Sequence, residues 1–353
     1  MAAVVRLIVL ALVAGVLASL PVAASATDGT SPSARTVDVA SRKVAFSIEN
    51  ENATPVACKP DGGTYRLRGE LVGPRPDLYG ASVERVNVLV HDLTSGSWFW
   101  HLRRHPSYDY ATRLAARGET SLVIDRLGYD ASSLADGNAT CLGAQADMLH
   151  QVIQHLRSGH YDFPTSSALP PAVEHVVVHG HSVGAAIAQV EAGQFDDVDG
   201  LVLMSWSDSG ASSRAVDEAS QQSELCLKGD DYASFGQGAR EYRRLLFATA
   251  PRAIQRTAAT LRNPSPCGDP LSLSQMLSAS TSTTTRKIEV PVLLLFGGKD
   301  KLNRDDAARR QAAAYSSSVV VTRRTIAGAG NALPLERSAA TTRGHVLRWL
   351  ATL

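Results

Sequence analysis

Charge of one sign is never in excess in this chain. Lys and Arg number 35 against 34 Asp and Glu, a net charge of +1 over 353 residues. With no basic surplus there is no electrostatic footprint for a polyanion, so no nucleic-acid partner is expected. Cysteine is scarce: four are too few to frame a miniprotein, yet enough for two bridges in an oxidising compartment. They form neither a Cys-x-x-Cys pair nor a Cys/His cluster, so no metal and no cofactor is expected. No hydrophobic run reaches the roughly 20 residues that a membrane span needs. With 44% hydrophobic and 20% charged residues the composition is globular, which excludes a disordered, collagen-like or polytopic membrane chain.

The longest apolar run, 7–20, follows Arg6 and precedes Pro21 and the small-x-small triplet Ala24-Ser25-Ala26. That order is the one of a cleavable secretion signal over 1–26, and a secreted protein is expected. Arg6 is the only charge it would remove, leaving 34 of each sign and no basis for stable membrane association. Residues 27–42, rich in Ser, Thr and Ala, read as a flexible leader, and 43–353 as one domain.

Two alternating segments, 43–48 and 65–72, predict antiparallel strands. Strand and helix patterns then alternate. Strands are expected at 85–91, 121–125, 173–179 and 201–206, with helices at 108–117, 141–157 and 183–192 between them. Such alternation argues for a mostly parallel sheet with helices on both faces. It stops at 207–286, a stretch with helical signal over 239–261 and a low-complexity Ser/Thr run at 278–285, which reads as an inserted lid. Strands at 291–296 and 319–321 and helices at 304–315 and 339–353 resume the pattern.

Gly180-His181-Ser182-Val183-Gly184 matches G-x-S-x-G. Alone that text is weak. Here Val176-Val177-Val178 leads in as a buried strand and Ala185-Ala186-Ile187-Ala188 leads out as a helix, the context that turns a serine hydroxyl out over a sheet. With VLVHDL at 88–93, DRLGYDAS at 125–132 and PVLLLFGGKD at 291–300, the chain resembles the α/β-hydrolase superfamily over nearly all of 43–353.

The resemblance implies Ser182 as nucleophile and Asp300 as the acid of a triad, with Asp208 a weaker alternative. It implies Val183 and Leu93 as the backbone donors of an oxyanion hole. Two family glycines are replaced, by Asp92 and Asp130. Asp tolerates positive φ better than most residues, but a carboxylate at 92 opposes a developing oxyanion. The family's histidine position holds Asn331, within Gly328-Ala329-Gly330-Asn331, and an amide takes no proton near neutral pH. Of ten histidines only His345 follows Ser182, and it falls inside the closing helix. His91 and His179 end strands and His181 lies within the strand-to-helix turn that carries Ser182, the nucleophile elbow, where packed structural histidines are expected. His91, Asp92 and His181 remain pocket candidates, and His101 and His105 could approach its rim.

Three pairings of four cysteines are possible, and chain position favours Cys58–Cys141 and Cys226–Cys267, the second stapling the insertion. The expected activity is that of a secreted serine hydrolase on an ester, lactone or other acyl bond of a small-molecule substrate. The alternatives are a pseudoenzyme that binds a ligand, or a lyase or cyclase using Asp92. Oligomeric state is left open.

Overall fold

Runs that are apolar at every position, rather than at alternate ones, can be satisfied only where both faces of a strand are covered. VVV at 176–178 and LVLM at 201–204 are such runs, and they form the middle of an eight-stranded sheet. The computed structural model describes residues 36–353, so the expected signal over 1–26 and most of the expected leader lie outside the described residues. The strands are β1 (Val39–Glu49), β2 (Thr64–Pro74), β3 (Ser82–Val90), β4 (Thr120–Asp125), β5 (Ala172–His181), β6 (Gly200–Met204), β7 (Tyr232–Ala233), β8 (Ser265–Pro266), β9 (Val292–Gly297) and β10 (Val321–Ile326). The main sheet runs β1-β2-β4-β3-β5-β6-β9-β10, while β7 and β8 pair separately. β2 is antiparallel to β1 and β4, and every other pair in the main sheet is parallel.

The faces divide residue by residue. Val176 and Val178 enter one apolar cluster with Leu149, Ile153 and Ile187, whereas Val177 enters the other with Tyr110, Leu114 and Trp349. Helices Leu142–Ser158 and Val183–Phe195 cover the first face; Tyr110–Ala115 and Ala339–Leu350 cover the second. No helix of the described residues is long and apolar enough to cross a membrane.

Several expected boundaries move, each for a physical reason. β1 begins at Val39, inside the segment expected as leader, because its backbone pairs with β2 without a break from Val39↔Pro74 to Glu49↔Thr64. β10 spans Val321–Ile326 rather than 319–321: Val319 and Val320 are exposed, and the polar TRRT segment is held by backbone pairing with β9 at the sheet edge. The helical signal over 239–261 is broken into Gly238–Leu246 and Arg252–Leu261. Pro251 cannot continue the first helix, and the Glu336 carboxylate takes the Ala248 and Thr249 N–H groups between them. The Ser/Thr run is not a loop. It continues helix Leu273–Ala279 through a π-turn, its hydroxyls bonding back to carbonyls one turn earlier, as Thr281 does to Leu277 and Ser282 to Ser278.

The cysteines are joined as Cys58–Cys141 and Cys226–Cys267. The insertion is also fastened by charge. Arg126, just past β4, donates from Nη1 to Asp269 Oδ2 at 2.9 Å, and Tyr129 adds its hydroxyl at 2.9 Å. Both charged side chains are buried.

Two predictions follow from how β3 and β4 end. A Cβ on Gly184 would stand 2.4 Å from the Val90 carbonyl oxygen and 2.6 Å from that of His91. Gly184→Ala is expected to cost about 3 kcal/mol by urea denaturation, because backbone cannot yield as a side chain tip can. Asp125 accepts the N–H groups of Ser97 (2.7 Å) and Ala131 (3.3 Å), and burial pushes its carboxyl up to about 6. The folded state therefore holds this proton more tightly than the unfolded chain, so this group's contribution to stability is fully present below pH 4 and is lost as pH rises through 6. The loss for this group is about 3 kcal/mol, and Asp125→Asn should remove that part of the slope in denaturation curves recorded between pH 4 and 7.

Candidate active site

Ser182 joins β5 to helix Val183–Phe195 with φ 50° and ψ −122°, a conformation that L-residues rarely adopt. Gly180 permits it, since a Cβ there would lie 2.4 Å from Ala185 Cα. The Ser182 N–H bonds to the Met204 carbonyl of β6 at 2.8 Å, fixing the turn to the sheet. Among the described residues the Ser182 hydroxyl has no hydrogen-bond partner, and the residue is partly exposed, unlike the buried helix that follows it.

Asp300 lies three residues beyond β9. Its Oδ1 accepts the Leu302 N–H and its Oδ2 the Asn303 amide, both at 2.9 Å. Asn331 Nδ2 spans both oxygens at 3.2 and 3.1 Å. Asn331 thus faces the carboxylate from the position expected of a histidine, but with an amide that donates and cannot accept a proton. Burial raises the Asp300 carboxyl above the usual carboxylate range, against the hydrogen bonds from Asn303, Leu302 and Asn331. The alternative acid, Asp208, is engaged elsewhere: Gln189, Trp206 and Thr285 all donate to its carboxylate.

The most consequential contact is at the oxyanion position. Asp92 Oδ1 accepts the Val183 N–H at 3.1 Å, so a buried carboxylate sits on the donor that would stabilise an oxyanion. The sequence pointed to charge repulsion here; direct occupation of the donor was not legible. Asp92 is not among the residues with positive φ, whereas Asp130 is, at 41°. Leu93 keeps its N–H unpartnered among the described residues, and its carbonyl accepts the Ser265 hydroxyl of the insertion at 2.8 Å.

The histidines near the elbow are structural. His91 receives the Arg126 N–H on Nε2 at 3.1 Å and donates from Nδ1 to the Asp92 carbonyl at 2.8 Å. Burial, then the charge of Arg126, holds its pKa well below the ordinary value. His181 is fully buried, stacks on Phe99 with centroids 4.4 Å apart, and donates from Nε2 to the Asn331 carbonyl at 3.1 Å. Burial lowers its pKa while Asp92 and other neighbours partly restore it. His179 bonds Tyr110, His101 bonds Asp109, His105 bonds Thr257, and His345 lies against Arg348. None of these meets Ser182.

Two participants were not found from sequence. Ser205, also at positive φ (57°), donates its hydroxyl to the Asn331 carbonyl at 2.8 Å. Asp125 ties the loop after β3 to the loop after β4 through Ser97 and Ala131. No sequence pattern marks Ser205; Asp125 was visible as the first residue of DRLGYDAS, but not its grip on Ser97.

Comparison with known proteins fits this geometry. No curated protein matches the sequence. Among solved structures, a thermophilic esterase from Thermogutta terrifontis is 17% identical with a TM-score of 0.57, covering 87% of this chain and 98% of its own. A monoacylglycerol lipase from Paleococcus ferrophilus is 19% identical with a TM-score of 0.57, covering 76% and 94%. An esterase from Exiguobacterium antarcticum is 16% identical with a TM-score of 0.59, covering 85% and 99%. At these identities the likeness is one of fold. The model of the alpha/beta hydrolase family matches residues 88–343 and so spans most of the sequence, elbow, acid loop and Asn331 included, and the chain belongs to that family.

Proposed function

We propose that the protein is a secreted serine hydrolase acting slowly on an ester, lactone or other acyl bond of a small molecule, with Ser182 as nucleophile and Asp92 in place of the missing base. The observation that carries this reading is the Asp92 Oδ1 to Val183 N–H bond, which puts a buried carboxylate against the residue next to the nucleophile. A carboxylate that takes the Ser182 proton becomes a neutral acid. It then ceases to repel the oxyanion and has an O–H to donate to it, so one group answers both objections to its presence. Asp300 and Asn331 hold the 328–331 turn in position and move no proton. The esterases and the lipase of the same fold favour an acyl bond as target. The apolar segment 7–20 and the two disulfides favour secretion. Contacts of Asn263 with Thr94 and of Ser265 with Leu93 favour the insertion as a lid over the site.

The same hydrogen bond favours a second reading, in which Asp92 plugs the oxyanion hole of a ligand-binding pseudoenzyme. Losing the base of a serine triad costs on the order of 10⁶ in turnover, which leaves room for either. Fluorophosphonate labelling and turnover of p-nitrophenyl esters separate them. In the first reading the parent labels slowly, Ser182→Ala abolishes labelling, and Asp92→Asn lowers turnover about 100-fold. In the second the parent is inert, and Asp92→Gly combined with Asn331→His creates turnover. Activity that survives Ser182→Ala and is lost in Asp92→Asn would replace both with lyase or cyclase chemistry.

A further inference from the structure

Far from the elbow, at the other end of helix Val183–Phe195, a carboxylate is buried with nothing to hold it. Glu191 is fully buried, and neither of its carboxylate oxygens has a hydrogen-bond partner; Asp197 Oδ1 is likewise unpartnered. The third member of the cluster is His150, on helix Leu142–Ser158, and one donor atom from each of the three lies within 4.8 Å of the others. His150 Nδ1 bonds Asp197 Oδ2 at 2.7 Å, Gln154 adds its amide to the same oxygen at 2.6 Å, and the His150 ring stacks on Phe195 at 3.9 Å. The imidazole is therefore held in place, while His150 and Asp197 keep part of their side chains open to solvent.

We propose that His150, Glu191 and Asp197 form a binding site for a divalent transition cation of the zinc class. One imidazole nitrogen and two carboxylates suit such an ion, and the solvent-facing side leaves a fourth position for water. Ligand bonds of about 2.1 Å around a tetrahedral ion place donor atoms about 3.4 Å apart, so binding draws together side chains whose donor atoms already lie within 4.8 Å. Binding exchanges the His150–Asp197 hydrogen bond for two metal bonds. The nearest opposing charge, Arg157, is committed: it donates to the Asp197 carbonyl at 2.7 Å and to Asp199 Oδ2 at 2.9 Å. The spacing of the three ligands, 41 and 6 residues, resembles no linear metal motif, which is why the sequence suggested none.

Nine residues of helix separate Glu191 from Ser182, about 14 Å at 1.5 Å per residue, so the ion braces two helices and takes no part in chemistry at the serine. The test is equilibrium dialysis of the full chain against zinc chloride, with thermal melting in parallel. One zinc per chain with a dissociation constant of 10 μM or below, together with a raised melting temperature, is expected. Glu191→Gln, an uncharged isostere, and His150→Gln, at a partly exposed position, should each weaken binding at least tenfold and abolish the thermal shift. Should Glu191→Gln fail to fold, His150→Gln and Asp197→Asn carry the comparison. No saturable site below 100 μM in the parent would overturn the proposal, leaving a carboxyl pair that shares a proton. So would zinc binding unchanged in the variants, which would place the ion on other histidines.

Discussion

The close approach of helix Val183–Phe195 to the end of β3 is the constraint on which the site depends. Only a glycine at 184 lets the helix start within contact of the Val90 and His91 carbonyls. Because His91 runs directly into Asp92, that approach also sets the distance between the loop after β3 and the first N–H of the helix. In relatives of the fold this is how an oxyanion hole is assembled: two backbone donors from different loops are brought together by packing that neither loop controls. In this chain the same geometry delivers the Asp92 carboxylate to Val183. The substitution leaves the scaffold alone and changes what the scaffold presents.

Asn331 and Asp92 are best understood together, through the charges they leave behind. A histidine at 331 would give Asp300 a partner able to become a cation. Asn331 gives it only an amide dipole, and Asp300 is accordingly shifted upward by its burial. Asp92 adds a second carboxylate near the first, and the imidazole between them, His181, is kept from charging by burial although both acids pull it the other way. Its Nε2–H goes to the Asn331 carbonyl and its Nδ1 has no partner. The site therefore holds acceptors in excess of donors. That imbalance suits chemistry that begins with a carboxylate taking a proton, and it suits equally a ligand that brings donors of its own.

The parallel sheet was legible because its central strands are apolar on both sides and its elbow is bounded by glycines for reasons of space that sequence displays. The absence of a histidine at 331 was equally plain. What could not be read were features with no local signature. β10 is a polar edge strand held by its neighbour's backbone. The Ser/Thr run is helical because its hydroxyls satisfy carbonyls one turn back while Gly193 lets Thr284 pack close to the helix. At the site, Asp92 was visible as a foreign charge, but its ligation of Val183 depends on a distance fixed by a residue 92 positions further along. Ser205 reaches Asn331 across a separation of 126 residues, and no pattern in either segment announces it.

The segment 265–269 is fastened to the rest of the domain at several points at once. Arg126 and Asp269 are both buried, and taking either charge away from the other would cost about 3–5 kcal/mol. Next to Asp269, Cys267 is tied to Cys226, and Ser265 holds the Leu93 carbonyl, so 265–269 is anchored to the loop after β3 and to the DRLGYDAS segment at once. Displacing that segment would break a buried ion pair and free the loop after β3 in the same motion. The helices Gly238–Leu246 and Arg252–Leu261 are held by other contacts instead: Tyr242, Leu245, Leu246, Ile254 and Ala258 join the apolar cluster on the sheet, Thr257 meets His105, and Glu336 takes two backbone N–H groups at the break between them.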